Sequence, residues 1–137
     1  MSGEAASGKQ DLFALVALGD LQRLRTALAG GEAADPRDRY GATPLYWAAA
    51  GADGAAVAAL LDAGADPGAV TDAGNTPLMV AAAMGAGAVV RRLLAAGAEV
   101  GHQNRWGLDA MRWAQWSPDA AAMRELLQQK ASGDRFA

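Results

Sequence analysis

The sequence predicts an all-α solenoid, built of stacked helix–turn–helix units joined by short β-turn or hairpin tips. Three observations predict it. First, several residue types recur at a fixed step of 33 along the 137-residue chain: Gly41, Gly74 and Gly107; Leu60 and Leu61, Leu93 and Leu94, Leu126 and Leu127; Ala48 and Ala49, Ala81 and Ala82. A period of this length marks a stacked-repeat architecture. Second, Thr43-Pro44 and Thr76-Pro77 open two of the units in register. Threonine places an N-cap oxygen there, and proline at the first helical position loses nothing because that N–H has no helical partner. Third, hydrophobic residues make up 52% of the chain but aromatics only 6%. Alanine supplies much of the difference. It buries too little area for one large core, but it suits helices packed close together.

Taken in order, residues 1–10 are small and polar and carry no apolar stretch of the signal-peptide kind, so they read as a loose leader. Residues 11–131 read as one domain of four units. The first, 11–38, is an N-terminal cap in which Asp11, Leu12, Phe13, Ala14 and Leu15 replace the Thr-Pro opening; Leu28 and Gly31 hold the register. Residues 39–71 form a full repeat. Leu45, Ala48 and Ala49 give one apolar helix, and Val57, Leu60 and Leu61 a second, stopped by Gly64 as a left-handed residue. Residues 72–104 repeat this with Leu78, Ala81, Val90, Leu93, Leu94 and Gly97. Here Gly85, Ala86 and Gly87 begin the second helix without a capping side chain, the weakest local link in the chain. Residues 105–131 form a C-terminal cap. Asp109 and then Ser117-Pro118-Asp119 supply its N-caps, and Met123, Leu126 and Leu127 its apolar stripe. Lys130 stands where a stop glycine would be, so fraying is expected there. Gln115, Gln128 and Gln129 suit a solvent-facing end. Residues 132–137 read as a flexible tail.

The segments Asp38-Arg39-Tyr40-Gly41-Ala42-Thr43-Pro44-Leu45 and Asp72-Ala73-Gly74-Asn75-Thr76-Pro77-Leu78 resemble the openings of ankyrin repeats. So do the closings Leu60-Leu61-Asp62-Ala63-Gly64-Ala65-Asp66 and Leu93-Leu94-Ala95-Ala96-Gly97-Ala98-Glu99. The resemblance spans roughly residues 11–131 and concerns the fold; it names no partner. The family often carries histidine after Thr-Pro-Leu. Tyr46, Met79 and Arg112 stand there instead, so the histidine's hydrogen bond to neighbouring turns is expected to be absent and stability modest.

Enzymatic constellations are missing. Net charge is −3, with no cysteine and a single histidine, His102, in an inter-repeat turn. Without cysteine there is no disulfide, thiolate metal site or thiol nucleophile. One histidine builds no two-histidine metal site and reads as a solvated loop residue. Asp53, Asp109 and Asp119 read as helix-start residues, and Asp66 and Glu99 as matching turn residues. Gly85-x-Gly87 lacks the rest of a dinucleotide fingerprint. No cofactor and no metal are expected, and neither nucleic acid nor membrane as partner: the overall charge is acidic, and no apolar run nears the roughly 18 residues of a span.

A surface remains. The resemblance implies that a partner protein meets the turn tips and the exposed edge of each first helix. Those places hold Arg37, Arg39, Tyr40, Asp72, Asn75, Met84, Gln103, Arg105, Trp106, Leu108 and Trp116, with Ala42, Val70 and Ala73 among them. Arg39-Tyr40 and Arg105-Trp106 occupy equivalent positions two repeats apart, and arginine, tyrosine and tryptophan are the types enriched at binding hot spots. Arg37, Arg39 and Arg105 make the tips basic on an acidic chain, which suits an acidic patch on the partner. Trp47 and Trp113 share one helical position and are expected to pack between units. The expected function is a non-catalytic protein-interaction module: a small stand-alone adaptor or inhibitor, with a toxin-neutralising antidote or a stabilising subunit of an enzyme complex as alternatives. It is read as monomeric and cytoplasmic. The alanine- and arginine-rich composition resembles a bacterial coding bias.

Overall fold

Each sequence unit becomes a pair of helices because each carries two caps and two apolar stripes. The structure, a computed structural model, describes residues 11–133; the leader 1–10 and residues 134–137 of the tail lie outside. Unit one holds α1 (Leu12–Leu18) and α2 (Leu21–Ala29). Unit two holds α3 (Pro44–Ala50) and α4 (Gly54–Asp62), and unit three α5 (Pro77–Met84) and α6 (Gly87–Ala95). Unit four holds α7 (Ala110–Trp113), continued by a 3-10 turn (Ala114–Trp116), and α8 (Ala120–Gly133). No β-strand forms among the described residues.

The helices stack in two layers. α1 packs on α3, α3 on α5 and α5 on α7; behind them α2 packs on α4, α4 on α6 and α6 on α8. Ala48, Ala49, Ala81 and Ala82 are fully buried where α3 meets α5, and their size is what lets the two backbones approach. Leu45, Val57, Leu60, Leu78, Val90 and Leu93 fill the space between layers.

The caps follow the 33-residue register. Thr43 and Thr76 accept from the backbone N–H groups of Tyr46 and Met79, with proline at the first helical position of α3 and α5. Asp11 and Asp109 do the same for α1 and α7. The second helices are capped by Asp20, Asp53 and Asp119, which accept from Arg23, Ala56 and Ala122. The fourth member of that series is Ala86, and α6 starts with no side-chain cap. Just before these caps the chain turns through the left-handed region: Gly19 at φ 71°, Gly85 at φ 72°, and between them Ala52 at φ 55°.

The last helix runs past Lys130, where the stop glycine is missing: α8 has 14 residues, to Gly133, where α2, α4 and α6 have nine. Gly64 and Gly97 end their helices in the left-handed conformation (φ 94° and 97°), and nothing in the last unit imposes such a turn. At the family's histidine positions, where Tyr46, Met79 and Arg112 stand, the Met79 sulfur accepts from the Thr76 N–H at 3.4 Å.

Candidate functional site

The tips are built by one side chain per turn. Asp38, Thr71 and Asn104, each 33 apart, use a side-chain oxygen to accept backbone N–H groups two or four residues on: Tyr40 and Ala42, then Asn75, then Trp106 and Leu108. Gly41, Gly74 and Gly107 close the turns at positive φ. Gly41 lies at φ 73°, and a Cβ there would also push the Asp72 carboxylate aside.

Successive tips are also tied to each other. The Asp72 N–H donates to the Tyr40 carbonyl and the Arg105 N–H to the Ala73 carbonyl, both at 2.9 Å. Arg37 donates through Nη1 to the carbonyls of Gly41 and Val70, at 2.9 and 2.5 Å. Asn104 donates to Asn75 Oδ1, and His102 Nε2 lies 3.2 Å from the Gly74 carbonyl oxygen. His102, half-buried and in contact with a carbonyl, is a strut between turns rather than a freely solvated loop residue.

On this platform Arg39, Tyr40, Asp72, Asn75 and Arg105 line one groove of about 500 Å³, with Ala42, Ala73, Tyr46 and Trp47 at its floor and wall. The Arg39 guanidinium lies 5.2 Å from the Tyr40 ring centroid, and Arg105 lies 5.7 Å from the Trp106 ring. Each arginine lies near an exposed aromatic ring, and Arg105 Nη2 also donates to the Asp72 carbonyl at 3.3 Å. Tyr40 and Trp106 are 55% and 64% exposed, so these pairs face solvent.

The other expected residues are distributed differently. Arg37 is engaged behind the turn with two carbonyls. Trp106 touches the groove through Arg105, while Gln103 and Leu108 flank it on the last turn without lining it. Met84, exposed at the end of α5, and Trp116, in the 3-10 turn, lie outside it. The expected basic field is narrower than three arginines: Arg39 and Arg105 line the groove together with the acidic Asp72.

Trp47 departs from expectation. It is 40% exposed, whereas Trp113, at the same helical position, is half-buried and meets the edge of Trp116 at 5.6 Å. The cause is Asp38, whose Oδ2 accepts from the Trp47 indole N–H at 2.7 Å and holds the ring outward. Partial desolvation pushes the Asp38 pKa up, but it is outweighed by hydrogen bonds from Trp47, Ala42 and Tyr40 and by the nearby Arg39. The carboxyl therefore titrates below its ordinary value of 3.8. Burial pushes the Tyr46 hydroxyl above its ordinary value of 10.0, with the Asn75 hydrogen bond opposing. Trp47, Tyr46 and Asp38 are the site residues that sequence reasoning passed over. The 33-residue series Asp38, Thr71, Asn104 is a signal that could have found the last of them.

The family model for "Ankyrin repeats (3 copies)" matches residues 12–104 and again residues 48–135. No curated protein matches the chain. Among the described residues no helix is long and apolar enough to cross a membrane.

Proposed function

The chain belongs to the ankyrin-repeat family, whose members are protein-interaction modules, and we propose that it acts as a non-catalytic binding protein, a small adaptor or inhibitor, through the tip groove. The observation that carries this reading is the groove of Arg39, Tyr40, Asp72, Asn75 and Arg105 around Tyr46 and Trp47. Hydrogen bonds between consecutive turns hold its backbone, so little order has to be imposed when a partner docks. Tyr40 and Trp106 offer apolar area with a polar edge, and Arg39 and Arg105 offer forked donors that match carboxylates. The partner surface that fits is acidic, with an apolar side chain for the aromatic floor. Gln103, Leu108, Met84 and Trp116 extend the contact along the tips and inner helices in this reading. A cysteine-free chain suits a reducing, cytoplasmic setting.

The test compares the parent protein with an Arg39→Ala/Tyr40→Ala/Arg105→Ala/Trp106→Ala variant of equal helicity. Used as baits, the parent should capture a partner that the variant loses. Equal capture by both would move the binding face elsewhere. Raising salt should slow association with that partner, because screening weakens steering by the two arginines. An on-rate indifferent to salt would remove the acidic patch from the reading.

A further inference from the structure

Trp47 and Trp113 stand at the same helical position, two repeats apart, and differ in one hydrogen bond. The Trp47 indole N–H donates to Asp38 Oδ2 at 2.7 Å. The Trp113 indole nitrogen is fully buried, and among the described residues its N–H meets no acceptor. A buried donor without a partner is costly and asks for a cause. The cause lies nine residues back in each unit. Asp38 and Asn104 build the same turn. Asp38 Oδ1 accepts from the N–H groups of Tyr40 and Ala42 at 2.9 and 3.0 Å, and Asn104 Oδ1 from those of Trp106 and Leu108 at the same two distances. The side chains differ only in the group that remains. In Asp38 it is a second oxygen, and it takes the indole. In Asn104 it is an amide nitrogen, a donor, committed to Asn75 Oδ1 at 2.9 Å. A donor cannot receive an N–H. The unit between them has Thr71 and Val80 at these places and no indole to hold.

We propose that Trp113 is a withdrawn counterpart of Trp47, kept inward by the amide of Asn104, and that a hydrogen-bond acceptor in place of that one nitrogen turns it outward. Asn104 is then a positioning residue twice over. Its Oδ1 shapes the last turn, and its Nδ2 ties that turn to Asn75 and so denies Trp113 an acceptor. The ring rests instead edge-on against Trp116, with 5.6 Å between centroids. Trp47 has no such ring to withdraw to, because the register counterpart of Trp116 is Ala50. The inward state keeps an aromatic contact and forgoes a hydrogen bond; the outward state does the reverse. Two packings that exchange one contact for another make a discrete switch rather than a gradual drift. The surface changes with it. Trp47 lines the groove that holds Arg39 and Tyr40. By register, an outward Trp113 stands to Arg105 and Trp106 as Trp47 stands to that pair. The inference rests on contacts within the chain, so it stands or falls apart from the tip-groove reading.

The test follows the indole N–H signals of the full chain by nitrogen-resolved NMR, each assigned by replacing one tryptophan with phenylalanine. Asn75→Ala/Asn104→Asp supplies the acceptor and removes its competitor, and the carboxylate should keep the turn as it does at position 38. The Trp113 N–H should then shift downfield, as a newly bonded donor does, and its ring should exchange contacts with Trp116 for contacts with residue 104. An unmoved signal in a variant of parental helicity would overturn the proposal. Trp116→Ala separates the lock from the packing. With Asn104 intact, the Trp113 ring should make no contact with residue 104; contacts appearing there would show that Trp116, not the amide, withdraws it. Asp38→Asn is the converse and leaves the last unit untouched, and Asn104 shows that asparagine supports this turn. The Trp47 N–H should shift upfield and exchange with water about tenfold faster. An unchanged Trp47 would mean that the edge of Tyr46, 5.5 Å away, holds the ring instead of the acceptor, and would overturn the proposal. This arm decides the matter should the double variant not fold.

Discussion

At the scale of single residues, the chain is informative where one member of a register series differs from the others. Ala52 is such a residue. Gly19 and Gly85 make the same turn at φ 71° and 72°, and Ala52 makes it at φ 55° with a Cβ. A left-handed conformation costs an L-residue roughly 1–2 kcal/mol, and glycine gives back roughly 0.5–1 kcal/mol through its freer unfolded chain. Ala52→Gly should therefore stabilise the protein by about 0.5–1 kcal/mol, read as a higher urea midpoint at unchanged slope. Asp38 supports a second prediction at this scale. Its carboxyl titrates below 3.8 because the Trp47 indole and two backbone N–H groups favour the charged form. A group depressed in the folded state stabilises above its unfolded pKa, and that contribution is lost as pH falls through the folded pKa. NMR titration should place Asp38 below an ordinary aspartate. Trp47→Phe, which removes the first of those donors, should move it upward; an unmoved pKa would show that the indole hydrogen bond does not persist in solution.

At the scale of the helix, caps explain most of what could be read from sequence. Thr43, Thr76, Asp53, Asp109 and Asp119 mark helix starts because a short polar side chain before an apolar stripe has one inexpensive use there, and the structure gives them that use. The exception is α6. The capping series Asp20, Asp53, Asp119 is broken by Ala86, and α6 begins without a side-chain cap. Ala86→Asp should restore the cap and add about 1 kcal/mol, seen in thermal melts and as slower hydrogen exchange in the first turn of α6. No gain would mean that tertiary packing alone fixes that helix start. The tip residues were legible for the same reason as the caps, since position in the repeat decides which face a residue occupies. Arg39, Tyr40, Asp72, Asn75 and Arg105 meet in one groove as register predicts. Trp47 was not legible. Register equates it with Trp113, and the two part company only because Asp38 reaches nine residues along the chain to the indole, whereas Trp113 is met by Trp116. Periodicity reports what units share; contacts made by a residue found in one unit alone fall outside it. The length of α8 was legible in part, because Lys130 stands where the other second helices meet a glycine stop.

At the scale of the whole molecule, the question is how strongly one unit knows about the next. A four-unit stack is held by helix packing and by the bonds between consecutive tips, and its stability is close to a sum of unit and interface terms. The joint between the third and fourth units is the easiest to weaken selectively. Asn104 is a buried polar residue there: its Oδ1 accepts from Trp106 and Leu108, and its Nδ2 donates to Asn75 at 2.9 Å. Asn104→Ala leaves two backbone donors and Asn75 without these partners, at a cost on the order of 2 kcal/mol. That cost falls on the last turn and on its interface, not on the first two units. The tryptophans make the consequence readable. Trp106, Trp113 and Trp116 lie in the last unit and only Trp47 outside it, so fluorescence weights the C-terminal end while far-UV circular dichroism weights all helices. In the parent protein the two signals should change together, as a short and well-coupled array requires. In Asn104→Ala the fluorescence transition should come first, with helicity lost in a second step at higher denaturant. Coincident curves in the variant would mean that the contacts of α5 with α7 and of α6 with α8 keep the array a single cooperative unit without the tip. The tip bonds would then serve to shape the binding groove more than to hold the stack together.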